Sequence, residues 1–146
     1  MKLNMKILAL FSLFLIATCM TVVVAEETST FTVPDGFKVN DSFNKTTVIT
    51  NGSATIIITE TDGDISAATK EVTDKGFTLT NETTYKFDDK TLDIHQQNYN
   101  KDNSHAYIYD FKKDNKNYVI TFYPPEGQTG PSDENNPVTT MIQTLK

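Results

Sequence analysis

The residues best suited to chemistry in this sequence are one histidine and two aspartates on two predicted strands. When these strands pair antiparallel with Ile94 facing Phe111, residue alternation brings the three polar side chains to one face. In that register His95 lies opposite Asp110, and Asp93 lies two residues from His95 on the same strand. A histidine held by a carboxylate can act as a general base or take part in a metal site. These three residues are therefore the candidate binding residues.

A structural interpretation of the same residues competes with the catalytic one. A cross-strand histidine–carboxylate pair on an exposed face contributes only a fraction of a kcal/mol, and no function is needed to explain it. No serine lies in a G-x-S-x-G elbow, and a serine hydroxyl without an activating base is a weak nucleophile. The sequence therefore favours a non-catalytic protein. The alternative is a secreted hydrolase-like enzyme that uses His95 with Asp93 or Asp110.

Metal-binding patterns are missing from the sequence. It contains no H-x-H or H-E-x-x-H spacing. Acidic turns at 62–64 and 100–104 offer oxygen ligands, but neither has the length and closing glutamate of an EF-hand loop. Aspartate and asparagine also favour turns because they bond to their own backbone. We therefore expect no metal and no cofactor.

Four asparagines stand in N-x-S/T sequons and are candidate glycosylation sites. They are Asn40, Asn44, Asn51 and Asn81. This number is close to the chance expectation for a chain so rich in asparagine, serine and threonine. The presence of sequons alone therefore does not indicate that they are used.

An aromatic stripe is the most informative feature of the sequence. Tyr107, Tyr109 and Phe111 share one face of a predicted strand, and Tyr118 and Phe122 alternate on its expected partner. Such a stripe can bind sugars, peptides or another subunit. More often it is the buried face of a sheet under covering helices, and we expect that role here.

The elements that position these residues are separated by clear turn and cap signals. Asn51-Gly52 is the strongest short hairpin signal, Gly76 is a helix stop, and Asp64 and Asn136 are suited to cap helices. The predicted elements are a short edge strand at Phe31–Pro34, hairpin strands at Thr46–Thr50 and Ala54–Glu60, a helix from Ile65 to Lys75, strands near Phe77–Phe87, Thr91–Tyr99, His105–Lys112 and Asn117–Tyr123, a polar loop at Glu126–Asn135, and a helix from Pro137.

The order of these elements predicts an α+β fold. A twisted antiparallel sheet, made of the N-terminal hairpin and a four-strand meander, offers the apolar surface that two amphipathic helices need. We expect both helices on the face that carries the aromatic stripe. The helix residues expected to cover it are Ile65, Val72, Val138, Met141, Ile142 and Leu145.

Turn positions set the expected strand register, because a slip of one residue would reverse every face. The turn at Lys113–Lys116 predicts three cross-strand pairs: Phe111 with Tyr118, Tyr109 with Ile120, and Tyr107 with Phe122. The Asp88-Asp89 turn predicts two more: Tyr85 with Leu92, and Thr83 with Ile94.

Composition limits the partners of the protein. Its 146 residues include 13 basic and 19 acidic side chains, a formal net charge of −6, and no arginine. Nucleic-acid binding depends on attraction to phosphates, so a chain of this charge is a poor candidate for it. The length allows one domain.

Residues 1–25 look like an export signal. Lys2 and Lys6 precede an apolar run, and Val23 and Ala25 are small residues before a cleavage point. An uncleaved anchor is the main alternative, because the uncharged stretch is about long enough to span a bilayer. Acylation at Cys19 is a third. In each case residues 26–146 form a single domain outside the cytoplasm, secreted or at the cell surface.

Most of the chain after residue 25 resembles small exported proteins with the PsbP-like fold. The resemblance lies in the opening FTVPDGF, the hairpin, the helix, the meander ending in YVITFYPP, and the closing helix NPVTTMIQTLK. It implies an α/β sandwich used for binding or assembly, and it carries no catalytic motif. We therefore expect a non-catalytic extracytoplasmic module whose partner is a cell-surface or extracellular protein.

Overall fold

The computed structural model describes residues 30–87, 91–128 and 136–146. Its strands are β1 (Lys38–Phe43), β2 (Thr46–Thr50), β3 (Thr55–Thr61), β4 (Thr78–Phe87), β5 (Leu92–Lys101), β6 (Ser104–Lys113) and β7 (Lys116–Tyr123). Its helices are α1 (Ser66–Asp74) and α2 (Pro137–Thr144). The predicted export segment, the turn residues Asp88-Asp89 and residues 129–135 of the predicted polar loop lie outside the described residues.

One antiparallel sheet contains all seven strands, in the order β1-β2-β3-β7-β6-β5-β4. The meander starts at the far edge and returns, so that its last strand pairs with β3. The two helices have nine and eight residues, which makes 16% of the described residues helical. The predicted α+β class is therefore wrong, and the described part of the chain is mostly an antiparallel sheet. The helices are too short to form a covering layer across seven strands.

One face of the sheet, here called the core face, carries the aromatic stripe. Tyr109, Phe111 and Phe122 are buried there, as predicted, and Tyr107 is partly buried beside them. They pack with side chains from α2 and its C-terminal end, namely Val138, Met141, Ile142 and Leu145. The stripe is thus core, and α2 is the helix that covers it.

The opposite face, here called the polar face, carries α1. Val72 of α1 is fully buried with Ala106, Ile108 and Val119 of the sheet. The prediction that Ile65 and Val72 lie over the aromatic stripe is therefore wrong. β6 and β7 carry apolar residues on both of their faces, so each face needs its own cover.

The ends of α1 follow their sequence signals closely. The helix begins at Ser66, one residue later than predicted, so its N-cap is Ile65 and not Asp64; Asp64 Oδ1 still accepts a 2.8 Å hydrogen bond from the Ser66 amide. That hydrogen bond lowers the pKa of Asp64. At the other end, Phe77 N–H bonds to the Val72 carbonyl around Gly76, whose φ is +91°. This is the Schellman arrangement that favours glycine.

The helix α2 begins as predicted. Asn136 is its N-cap and accepts a 3.0 Å hydrogen bond from the Val138 amide, with Pro137 at the first helical position. At the other end Lys113 Nζ donates to the Ile142 carbonyl over 2.7 Å. A cation at the C-terminal carbonyls is the favourable charge for that end of a helix.

The N-terminal edge differs from the prediction. Residues 31–34 form no strand, and the edge strand is β1, which begins after the turn that Phe37 N–H closes on the Pro34 carbonyl at 3.0 Å. The segment before the turn instead covers the core face: Phe31 is buried, and Thr30 exchanges two backbone hydrogen bonds with Lys146. Because proline and the turn redirect the chain, the ladder can start only beyond them.

Strand register is confirmed in one hairpin and corrected in another. β6 and β7 pair as predicted, with Tyr109 opposite Ile120. Between β4 and β5 the prediction is wrong by two residues, since Tyr85 faces Ile94 and Thr83 faces Gln96. The pair nearest the turn is Phe87 with Leu92, so β4 and β5 are joined by four residues instead of the predicted two. Such a shift keeps each side chain on its predicted face but gives it a different neighbour.

Candidate functional site

His95 lies on the polar face of β5, directly opposite Asp110 of β6, as predicted. Its Nδ1 donates to Asp110 Oδ1 over 2.6 Å, because an ionised carboxylate can only accept. The two side chains are 32% and 29% exposed. The pair is therefore half-buried and open to water.

A second carboxylate, which the sequence analysis missed, adjoins the same imidazole. Glu82 Oε1 lies 3.6 Å from His95 Nε2 and accepts a 2.6 Å hydrogen bond from Gln97 Nε2. Gln97 is buried, and its Oε1 accepts from the buried Tyr99 hydroxyl at 2.9 Å. The true β4–β5 register sets Glu82 opposite Gln97, and that register was the only signal that could have found it.

Asp93 belongs to a different ion pair. It lies opposite Lys86 of β4 and bonds to the Lys86 ammonium, and both side chains are exposed. The three predicted site residues therefore share a face, but only His95 and Asp110 contact each other. Glu82, Lys86, Asp93, His95 and Asp110 are called here the polar patch.

A cleft of about 310 Å³ adjoins the polar patch beside α1. Asp93, His95 and Asp110 contribute to its lining, and Thr61, Gly63 and Ile65 contribute from the segment that leads into α1. A second cleft, of about 280 Å³, lies on the same face along α1 itself and is lined by Ala68, Glu71 and Thr121 among others. Both clefts exist because α1 covers only part of the polar face.

The chemistry open to this site is limited by what surrounds the imidazole. His95 Nε2, the nitrogen that would take a proton from a substrate, has the Glu82 carboxylate 3.6 Å away. Within the described residues, no serine or cysteine lines the cleft. No three histidine, cysteine or acidic side chains in those ranges are placed to hold a metal ion. The geometry offers a polar contact surface more readily than a nucleophile and its base.

One further sequence pattern, Ser42-x-x-Lys45, has the spacing of some serine–lysine catalytic pairs. The expectation that no serine of this chain has S-x-x-K spacing is therefore wrong. Here the Ser42 hydroxyl lies 3.3 Å from the Thr47 hydroxyl, and Lys45 donates to Glu60 over 3.1 Å. The two side chains have separate partners and form no catalytic pair.

The C-terminal end of α1, which borders the second cleft, is held to β7 by a polar cluster of Glu71, Lys75 and Tyr123. Lys75 Nζ lies 4.5 Å from the centre of the Tyr123 ring and donates to Glu71 over 2.8 Å. Burial first, and then the nearby Glu71 carboxylate, raise the pKa of Tyr123. Burial alone would lower the pKa of Lys75, but its hydrogen bonds to Glu71 and Tyr123 and the charges of those two groups together outweigh burial and raise it. A cation over an aromatic face stabilises such a contact.

All four sequon asparagines are exposed. Asn40 and Asn81 stand where the edge strands shift register, and Asn44 lies in the β1–β2 turn with φ of 46°. Asn51 shapes the β2–β3 turn, because its Oδ1 accepts from the Ala54 amide over 2.7 Å. Their use as glycosylation sites stays a prediction.

The sequence matches no protein-family model and no curated protein. The resemblance to PsbP-like proteins therefore stays a prediction. Among the described residues, no helix has the length and apolar composition needed to cross a bilayer.

Proposed function

We propose that this protein is a non-catalytic extracytoplasmic module for binding or assembly, and that it contacts its partner through the polar patch and the adjoining cleft. One observation carries the proposal. The imidazole of His95 stands between two carboxylates, Asp110 at 2.6 Å and Glu82 at 3.6 Å, beside a cleft whose described lining contains no serine or cysteine. The Glu82 carboxylate beside Nε2 would repel a substrate whose reacting atom is electron-rich.

Exposure supports the binding role. Lys86 and Asp93 are more than half exposed, and Glu82 is about half exposed, so charged groups of both signs are open to a partner. Groups of this kind at a protein contact set specificity and association rate more than they set affinity. The predicted export of the chain would bring this surface to cell-surface or extracellular proteins.

A hydrolase-like activity is the second candidate, because the 2.6 Å bond to Asp110 orients His95 as a general base would be oriented. The test is hydrolysis of activated ester, phosphomonoester, glycoside and peptide substrates by the wild type and by His95→Gln. His105→Gln, a change of the only other histidine, is the matched control. We expect no turnover that depends on His95. A loss of tenfold or more in His95→Gln alone would establish the enzyme instead.

The binding role has its own positive test. A photo-cross-linking amino acid replaces either Lys112, which lines the cleft, or Lys38, which lies on the edge strand β1. We expect a discrete cross-linked product from position 112 on the producing cell and none from position 38. Equal products, or no product from position 112, would contradict contact at the cleft.

A further inference from the structure

The edge strand β4 is long and mostly exposed. It is ten residues long, and every residue from Thr78 to Thr84 is exposed. Its pairing with β5 shifts between Leu79 and Asn81 and is regular from Asn81 to Phe87. The outer backbone groups of an edge strand can pair with another chain. The regular part of β4 is therefore a seven-residue template.

Two independent features of this segment share one centre. The middle residue of the regular stretch 81–87 is Thr84. Glu82 and Lys86, the segment's two charged side chains, lie two residues to either side of Thr84 and share the polar face. In an antiparallel pair centred on Thr84, Glu82 of each copy stands opposite Lys86 of the other. Opposite charges placed across an antiparallel pair are favourable.

We propose that β4 binds β4 of a second copy of this chain, antiparallel and centred on Thr84. The result is a continuous fourteen-stranded sheet in which the two polar patches meet around a two-fold axis. A two-fold contact of this type uses the same surface on both subunits. The proposal rests on the proposed function and adds a second copy as a partner at the outer edge of the polar patch, while the cleft stays open to the other partner.

The other edge does not offer this geometry. β1 has six residues, and its pairing shifts between Val39 and Asp41, so only 41–43 continue regularly at its far end. Its side chains carry no symmetric pair of opposite charges over a regular stretch. β1 therefore supplies the matched control positions.

The first test is sedimentation velocity of the full chain over a range of concentrations. We expect a concentration-dependent dimer that weakens in 0.5 M salt, since exposed ion pairs are screened. Lys86→Glu places an acidic side chain opposite Glu82 of the other copy, at both symmetry-related contacts. We expect the dimer dissociation constant to rise at least tenfold. The double variant Glu82→Lys with Lys86→Glu should restore it. Lys38→Glu, the same charge change on β1, should leave it unchanged.

A monomer at all concentrations would overturn the proposal, and so would a dimer that Lys86→Glu does not weaken. The second test covers any variant that folds poorly. In a Cys19→Ser background, Thr84→Cys should form a disulfide-linked dimer under mild oxidation, because directly opposed residues lie within disulfide reach. Ser42→Cys on β1 should not. Absence of the Thr84→Cys product, or equal products from both, would also overturn the pairing.

The failure of this pairing can be told apart from the failure of the proposed function. A monomeric chain without His95-dependent hydrolysis, which still cross-links at position 112, is a module with a different partner. Hydrolysis that depends on His95 would remove the proposed function, whatever the state of association.

Discussion

The two faces of the sheet use the same strands for opposite purposes. On β5 and β6, Ile94 is fully buried and Tyr109 is 3% exposed on the core face, whereas His95 and Asp110 are about one third exposed on the polar face. Residues one position apart thus separate core from candidate site, because side chains alternate along a strand. The comparison shows that the register that buries the aromatic stripe is also the register that forms the His95–Asp110 pair.

Coverage accounts for the difference between the faces. The core face lies under α2 and the N-terminal segment, which supply Phe31, Val138 and Met141. On the polar face the buried residue that α1 supplies is Val72, and two clefts remain on that face. We therefore expect stability to depend on the core face and binding to depend on the polar face, and the following predictions test that division.

The largest effect is expected on the core face. Phe122→Ala should lower the free energy of unfolding by about 3–5 kcal/mol, because a buried ring is lost and a cavity stays behind. Urea denaturation followed by circular dichroism measures it. Phe43→Ala is the matched control, since Phe43 is 71% exposed and should cost less than about 0.5 kcal/mol. Similar losses in both variants would refute the assignment of the core.

An intermediate effect is expected under α1. Val72→Ala should cost about 2 kcal/mol, from two buried methyl groups and the space that they leave. Val48→Ala, on the same face but only half-buried, should cost clearly less. If the two variants unfold at the same denaturant concentration, α1 does not protect the polar face as described.

A smaller, pH-dependent effect on stability is expected at Glu60, which lies at the rim of the core face opposite Tyr118. Burial alone would raise the pKa of Glu60, but the hydrogen bonds from Lys45 and Lys116 and the charges of both lysines together outweigh burial and lower it. The unfolded chain therefore takes up this proton first as pH falls. The stability from the pair is present above about pH 4.3, the usual pKa of glutamate, and is lost as pH falls through the lower folded value.

The matched measurement is the denaturation midpoint between pH 7 and pH 3 for the wild type and Glu60→Gln. The wild type should lose more stability over the acid limb than the variant does. Parallel curves would show that the two lysines do not hold the carboxylate in its charged form.

The smallest effect is expected at His95. His95→Gln should change the free energy of unfolding by less than about 1 kcal/mol, as for a half-exposed cross-strand pair. A double-mutant cycle with Asp110→Asn isolates the coupling between the two side chains, and we expect roughly 0.5 kcal/mol. A coupling above about 2 kcal/mol would identify the pair as part of the structural core, contrary to the division between the faces.

Local signals in the sequence predicted the individual elements well. The meander strands, the Asn136 cap and the Gly76 stop were all correct, because each depends on residues close together in the chain. The pair of His95 with Asp110 was also predictable, since the apolar match of Ile94 with Phe111 selects its register. The position of Glu82 beside His95 was not predictable. It depends on the β4–β5 register, and the register predicted from the sequence was wrong by two residues.

By itself, the sequence determined which residues alternate together, and therefore that the aromatic stripe and His95 lie on opposite faces. Only the tertiary structure decided that α1 covers part of the polar face and that β4 is an edge strand of the sheet. The periodicity of Val72 shows that this side of α1 must be buried, but it does not say against which face. Both faces of β6 and β7 are apolar, so the choice followed from the chain path between β3 and β4 and from the packing of Val72 onto Ala106 and Ile108.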